Sequence, residues 1–138
     1  MSDFDFWVGT WEGTWQGDDG PGEATNTITK ELGGRVVVER FATKPPTVFN
    51  GLSVTVLDEH EGCWKQTWVD DTGAYLDFRG GRVDDDVILT RQFVLEGTVI
   101  TQRMTFCEIE PDRFTWLWQR ARSGAWETLW HISYERHS

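Results

Sequence analysis

Trp11-Glu12-Gly13-Thr14-Trp15 sets two indoles four residues apart, and three later segments repeat the device: Trp64-Lys65-Gln66-Thr67-Trp68, Trp116-Leu117-Trp118 and Trp126-Glu127-Thr128-Leu129-Trp130. Spacings of two and four keep each set on one face of a β-strand, whereas a helix would scatter a spacing of two. Eight of the nine tryptophans fall in these segments, which predicts a curved sheet with an aromatic-lined inside. This is the profile of a barrel that holds a small molecule, although it does not name the molecule.

Outward from these segments the whole chain reads as strands. Strand-like runs fall at roughly 9–17, 23–32, 35–43, 51–58, 62–70, 74–80, 86–96, 98–109, 113–122 and 125–136, with turn signals about every 8 to 12 residues. The punctuation includes Gly17-Asp18-Asp19-Gly20, Gly33-Gly34, Asp71-Thr72-Gly73 and Ser123-Gly124, the residue types that supply positive φ or side-chain-stabilised turns. Ahead of the first strand, Asp3 is placed to cap one or two helical turns that carry Phe4 and Trp7 on one side. Alternation assigns inner faces to Trp11/Gly13/Trp15, Ala24/Asn26/Ile28, Leu52/Val54/Val56, Trp64/Gln66/Trp68 and Leu76/Phe78. Later strands give Val87/Leu89/Arg91/Phe93, Ile100/Gln102/Met104/Phe106, Phe114/Trp116/Trp118/Arg120 and Trp126/Thr128/Trp130/Ile132/Tyr134. The run Arg35-Val36-Val37-Val38-Glu39-Arg40-Phe41 is apolar in both phases, so its register stays open. One apolar face per strand favours an all-β, about ten-stranded antiparallel up-and-down barrel over a sandwich, because closure removes exposed edges.

Composition bounds the partners. The 138 residues (1–138) are expected to form one domain with a substantial core. A formal net charge of −10 argues against nucleic acid and anionic membrane, which want a basic face. No apolar run approaches the ~20 residues that span a bilayer as a helix. The opening Met1-Ser2-Asp3-Phe4-Asp5-Phe6-Trp7 lacks the basic and apolar regions of a signal peptide. Two cysteines, Cys63 and Cys107, make neither a disulfide framework nor a metal spacing. The expectation is a reduced cytoplasmic protein, a monomer or homodimer.

The opening Asp5-Phe6-Trp7-Val8-Gly9-Thr10-Trp11, the Trp64–Gly73 stretch and the closing Trp126-Glu127-Thr128-Leu129-Trp130 resemble a lipocalin-like (calycin) family of bacterial proteins of unknown function. The resemblance spans most of the chain and implies a ten-stranded barrel. Gly9-Thr10-Trp11-Glu12-Gly13 is also similar to the opening of nitrobindin-type haem barrels, which place an iron-ligating histidine on the final strand. His131 lies in the last strand here, but it alternates out of phase with Trp130, Ile132 and Tyr134. Unless a bulge reverses the strand, its imidazole points outward.

Within the barrel, Trp15, Trp68 and Trp118 are candidates to line a pocket, while Trp11, beside the opening turn, is expected to plug an end. Gly13 makes room for an indole. Arg91 and Arg120 share phase with apolar inward residues, and a buried guanidinium needs a partner. Either a ligand carboxylate supplies it, or each side chain sits at a strand end and reaches water along its stem. Gln66, Gln102, Asn26, Thr128 and Tyr134 are the remaining inward polar groups, and they either orient a ligand or satisfy one another. Asp58-Glu59-His60-Glu61 and Asp84-Asp85-Asp86 lack calcium-loop or zinc spacing and read as solvated turns. Pro45-Pro46 stiffens the 44–50 loop, which carries Phe49 towards the entrance.

The functional expectation is binding of a small apolar or aromatic molecule, with a carboxylate as one option, in the barrel interior and without a cofactor. One alternative is an enzyme, an isomerase, cyclase or decarboxylase, anchored by Arg120 with Tyr134 or a carboxylate moving protons. The other is haem binding through His131.

Overall fold

A computed structural model describes residues 3–137. Ten antiparallel strands run up and down in chain order: β1 Gly9–Gly17, β2 Gly20–Glu31, β3 Val36–Thr43, β4 Asn50–Asp58 and β5 Cys63–Asp70, then β6 Tyr75–Val83, β7 Asp86–Leu95, β8 Thr98–Glu110, β9 Arg113–Arg122 and β10 Ala125–Arg136. Each pairs with its neighbours in sequence, and β1 pairs with β10, so the sheet closes on itself. No helix among the described residues is long and apolar enough to cross a membrane.

The short N-terminal turn is a 3-10 helix, Asp5–Trp7, and Asp3 does not cap it. The Asp3 carboxylate instead accepts a hydrogen bond from Trp64 Nε1 at 3.1 Å, tying the segment across one end of the barrel. There Phe4, Trp7 and Trp11 are buried to 1 % exposure or less. Their rings meet Trp64, Phe106 and Phe114 edge to face, with centroids 4.7–5.7 Å apart, the arrangement that suits the ring quadrupoles. Trp11 Nε1 donates to the Trp7 carbonyl at 2.8 Å. Arg136 seals the same end: its guanidinium donates to the carbonyls of Val8, Phe6 and Pro111 and lies 4.2 Å from the Trp11 ring centroid. Trp11 therefore plugs this end, as its position beside the opening turn predicts.

The opposite end, where the loops 18–19, 44–49, 71–74, 96–97 and 123–124 lie, is the mouth. Two seams lose their cross-strand pairing towards it. β6 and β7 pair only over Arg79–Val83 and Asp86–Thr90, and β1 and β10 only over Trp11–Thr14 and Ser133–Arg136.

Most inner faces follow the sequence alternation, with two corrections. On β4 the inward residues are Ser53 and Thr55, both buried, while Val54 is 43 % exposed. The expected inward set Leu52/Val54/Val56 faces out, where Val36 pairs with Val56, Val38 with Val54 and Leu52 with Val69. The reason is hydrogen bonding: Ser53 Oγ donates to Glu39 at 2.7 Å, and Gln66 Nε2 donates to Thr55 Oγ1 at 2.9 Å. Buried polar groups need such partners more than three aliphatic side chains need the interior.

On β10 the register slips between Thr128 and Trp130, leaving Leu129 as an extra residue, and this bulge inverts the strand upstream of it. Trp130, Ile132 and Tyr134 face in as expected. Thr128 and Trp126 face out: Thr128 Oγ1 accepts from the outer-face Gln119 at 3.1 Å, and the Arg103 guanidinium lies 4.0 Å from the Trp126 ring centroid. His131, downstream of the bulge, pairs with the outward Leu117 and is exposed.

Candidate functional site

Between the plugged end and the mouth is a cavity of about 180 Å³. Its upper wall is aromatic: Phe49 from the 44–49 loop, Trp68 on β5, Trp116 and Trp118 on β9 and Trp130 on β10. Leu76, Phe78 and Met104 complete the apolar side, and Phe106, Ile132 and Tyr134 form the floor with Glu39. The four indoles are half-buried, so the space opens towards the mouth.

Each ring is held in place. Trp68 Nε1 donates to Asp70 at 2.8 Å, and its ring lies over Gly51, where a Cβ would overlap it. Trp130 stands edge-on to Trp15, Phe41 and Trp116, at 5.1, 6.0 and 5.7 Å. Phe49 meets Phe41, Trp68 and Trp130 at 6.1–6.3 Å, so this loop does bring an aromatic ring across the entrance. Tyr134 stacks on Phe114 at 4.9 Å. Gly13 makes room for Tyr134 and Ile132 rather than for an indole.

The floor carries a polar network that alternation did not reveal. Glu39, on the strand whose register the sequence leaves open, points inward and is 9 % exposed. Asn26 Nδ2 donates to one of its oxygens at 2.8 Å and Ser53 Oγ to the other at 2.7 Å. Burial pushes this carboxyl above its ordinary value, opposed by the Ser53 and Asn26 hydrogen bonds. Burial first, and then the nearby Glu39 charge, raise the Tyr134 phenol well above its ordinary value. The second carboxyl of the cavity, Asp70, is pushed up by burial. Hydrogen bonds from Thr72, Trp68 and Ala74 outweigh this and hold it below its usual range. A signal for Glu39 was present in Asn26: an inward amide on β2 needs a polar partner from β1 or β3, and Glu39 is the acceptor within reach.

Of the candidates from sequence, Trp68, Trp118 and Tyr134 line the cavity. Trp15 backs Trp130 from behind and occupies the space over Gly22, where a Cβ would overlap its ring. Gln66 is buried, with its Oε1 unpartnered, beside the β6–β7 seam. Arg91 and Arg120 lie on the inner phase but at the rim. Arg91 donates to Gln102 and lies 4.4 Å from the Phe93 ring centroid, and Arg120 pairs with Glu127, which the bulge brings into phase with it. Thr128 lies outside the barrel. The strand-end alternative therefore describes both arginines, and among the described residues no arginine lines the cavity.

The histidine of the haem alternative does not face the cavity. His60 lies in the β4–β5 turn, His131 on the outer face and His137 beyond β10, and all three are exposed. Among the described residues no group of three or more His, Cys, Asp or Glu side chains comes together in a metal-holding cluster. No family model matches the chain, and neither does any curated protein.

Proposed function

We propose that this protein binds one small, largely apolar molecule of about single-ring size inside the barrel. The observation that carries this reading is the aromatic cavity of about 180 Å³. Drug-sized ligands take pockets of ~300–1,000 Å³, whereas an apolar cavity of ~150 Å³ holds benzene. Space of this order suits a ligand body of roughly six to ten heavy atoms. The half-buried Trp68, Trp116, Trp118 and Trp130 would report an occupant directly.

Titration with toluene or benzyl alcohol should change tryptophan fluorescence saturably. No saturable change with any single-ring probe would defeat the proposal. A catalytic reading keeps one foothold, because Glu39 and Tyr134 offer two proton-bearing groups at the cavity floor. It loses its expected anchor, since Arg120 is engaged at the rim. The proposal places the protein in the cytoplasm, where Cys63 and Cys107 remain free thiols.

A further inference from the structure

We propose that the molecule held in the cavity carries a basic nitrogen: a small monoamine, seated with its nitrogen against the Glu39 carboxyl and its apolar body among the indoles. This rests on the binding reading above and names the class of ligand that the cavity selects. Three observations converge on it.

The first is charge. Among the described residues two carboxyl groups line the cavity, Glu39 at the floor and Asp70 towards the mouth, and no lysine, arginine or histidine does. The inner-face guanidiniums nearest the opening are already engaged, Arg91 by Gln102 and Arg120 by Glu127. An acidic ligand would enter a space that offers it only like charge. A purely apolar one leaves Glu39 with its pKa raised by burial, whereas a cation beside its oxygens favours the charged form.

The second is the state of Glu39 itself. Asn26 and Ser53 supply one hydrogen bond to each of its oxygens. A carboxylate accepts about four, so both oxygens retain accepting capacity. The other titratable group at the floor is Tyr134, whose phenol stays neutral. The carboxyl is thus fixed in place by uncharged donors on β2 and β4, and among the described residues no cation lines the cavity beside it.

The third is the wall. Indole faces attract cations through the ring quadrupole, more strongly than phenyl rings do, and four indoles surround the space above Glu39. An ammonium inside an aromatic enclosure with one buried counter-carboxyl regains part of the solvation it loses on leaving water. The formal charge of −10 on the chain also raises the local concentration of cations.

Benzylamine, benzyl alcohol and benzoate test this, since they share one ring and differ in the polar group. Calorimetric titration of the wild type should give benzylamine at least tenfold tighter than benzyl alcohol, with benzoate weakest. Glu39→Gln keeps the shape and removes the charge, turning one of the two acceptor oxygens into an amide donor that Asn26 or Ser53 meets by reorienting. It should weaken benzylamine ten- to a hundredfold, the range for a charge-assisted hydrogen bond, and leave benzyl alcohol within about threefold. Circular dichroism would verify that the variant is folded, and if it is not, the wild-type series alone decides. Benzyl alcohol binding as tightly as benzylamine, or equal losses for both in Glu39→Gln, would overturn the amine assignment while leaving the cavity reading intact. Failure of all three probes and of toluene would remove the cavity reading itself.

Discussion

The two ends of this barrel use the same residue types to opposite effect. At the plugged end Phe4, Trp7 and Trp11 fill the interior, are at most 1 % exposed, and are roofed by an arginine that gathers three backbone carbonyls. At the mouth Trp68, Trp116, Trp118 and Trp130 stand half-buried around a void. The difference is one of supply. The 3-10 segment before β1 adds Phe4 and Trp7 to one end, whereas the loops at the other end contribute a single ring, Phe49. Close packing maximises dispersion and apolar burial, so the filled end is where stability concentrates. The unfilled end keeps an unsatisfied apolar surface that a ligand can cover.

Removing a ring from each end should expose that contrast most clearly. Trp11→Ala leaves a cavity inside a fully packed cluster and should cost about 3–5 kcal/mol by urea denaturation. Trp118→Ala, whose ring already borders a void, should cost about 1–2 kcal/mol and enlarge the cavity. Equal costs would mean that the mouth is packed as tightly as the plug.

Arg136→Met retains the stem and removes the guanidinium. It should lose about 2–3 kcal/mol from the carbonyl hydrogen bonds and the contact with Trp11. Hydrogen exchange should show the loss concentrated at residues 6–11, with little change around the mouth.

Gly51→Ala tests the mouth from its backbone. The added Cβ overlaps the Trp68 ring, which must swing away, and overpacking of this kind costs about 1–3 kcal/mol. Loss of the single-ring fluorescence response should accompany it. A variant that binds normally would show that Trp68 does not define the wall.

Glu39→Gln separates burial of charge from packing through pH. Because the native pKa is raised, the native state holds its proton more tightly than the unfolded chain, whose carboxyl titrates near 4.5. Stability from this group is therefore full below that value and is lost as pH rises through the native pKa. Wild type and variant should have similar midpoints in acid, and the variant should become the more stable of the two as pH rises. A pH-independent difference would place the carboxyl in contact with water.

The smallest effect is expected from Arg120→Met. Its partner Glu127 is exposed at the rim, and exposed pairs contribute little. Neither the melting temperature nor the binding of a neutral single-ring probe should change measurably. A selective loss of carboxylate probes would instead restore an anchoring role for this residue.

The strands, their order and the ten-fold closure were legible because period-two alternation and turn chemistry are local properties. Trp11-Glu12-Gly13-Thr14-Trp15 needs only its own residues to read as a strand, and Gly33-Gly34 needs only its own φ angles, both positive here, to read as a turn. The inward Trp68, Trp118 and Tyr134 followed for the same reason. What locality does not contain is the choice between faces when both are plausible. Val36-Val37-Val38-Glu39-Arg40-Phe41 buries Glu39 because Asn26 and Ser53, thirteen and fourteen positions away, converge on its oxygens. The same convergence turns β4 over, so that Ser53 and Thr55 displace Leu52, Val54 and Val56 from the interior. Leu129 became a bulge, and Thr128 an outer-face residue, through pairing with β9. The sequence by itself determined a barrel with indoles inside. Only the tertiary structure decided that a carboxyl shares that interior, because satisfying a buried polar group requires several strands at once.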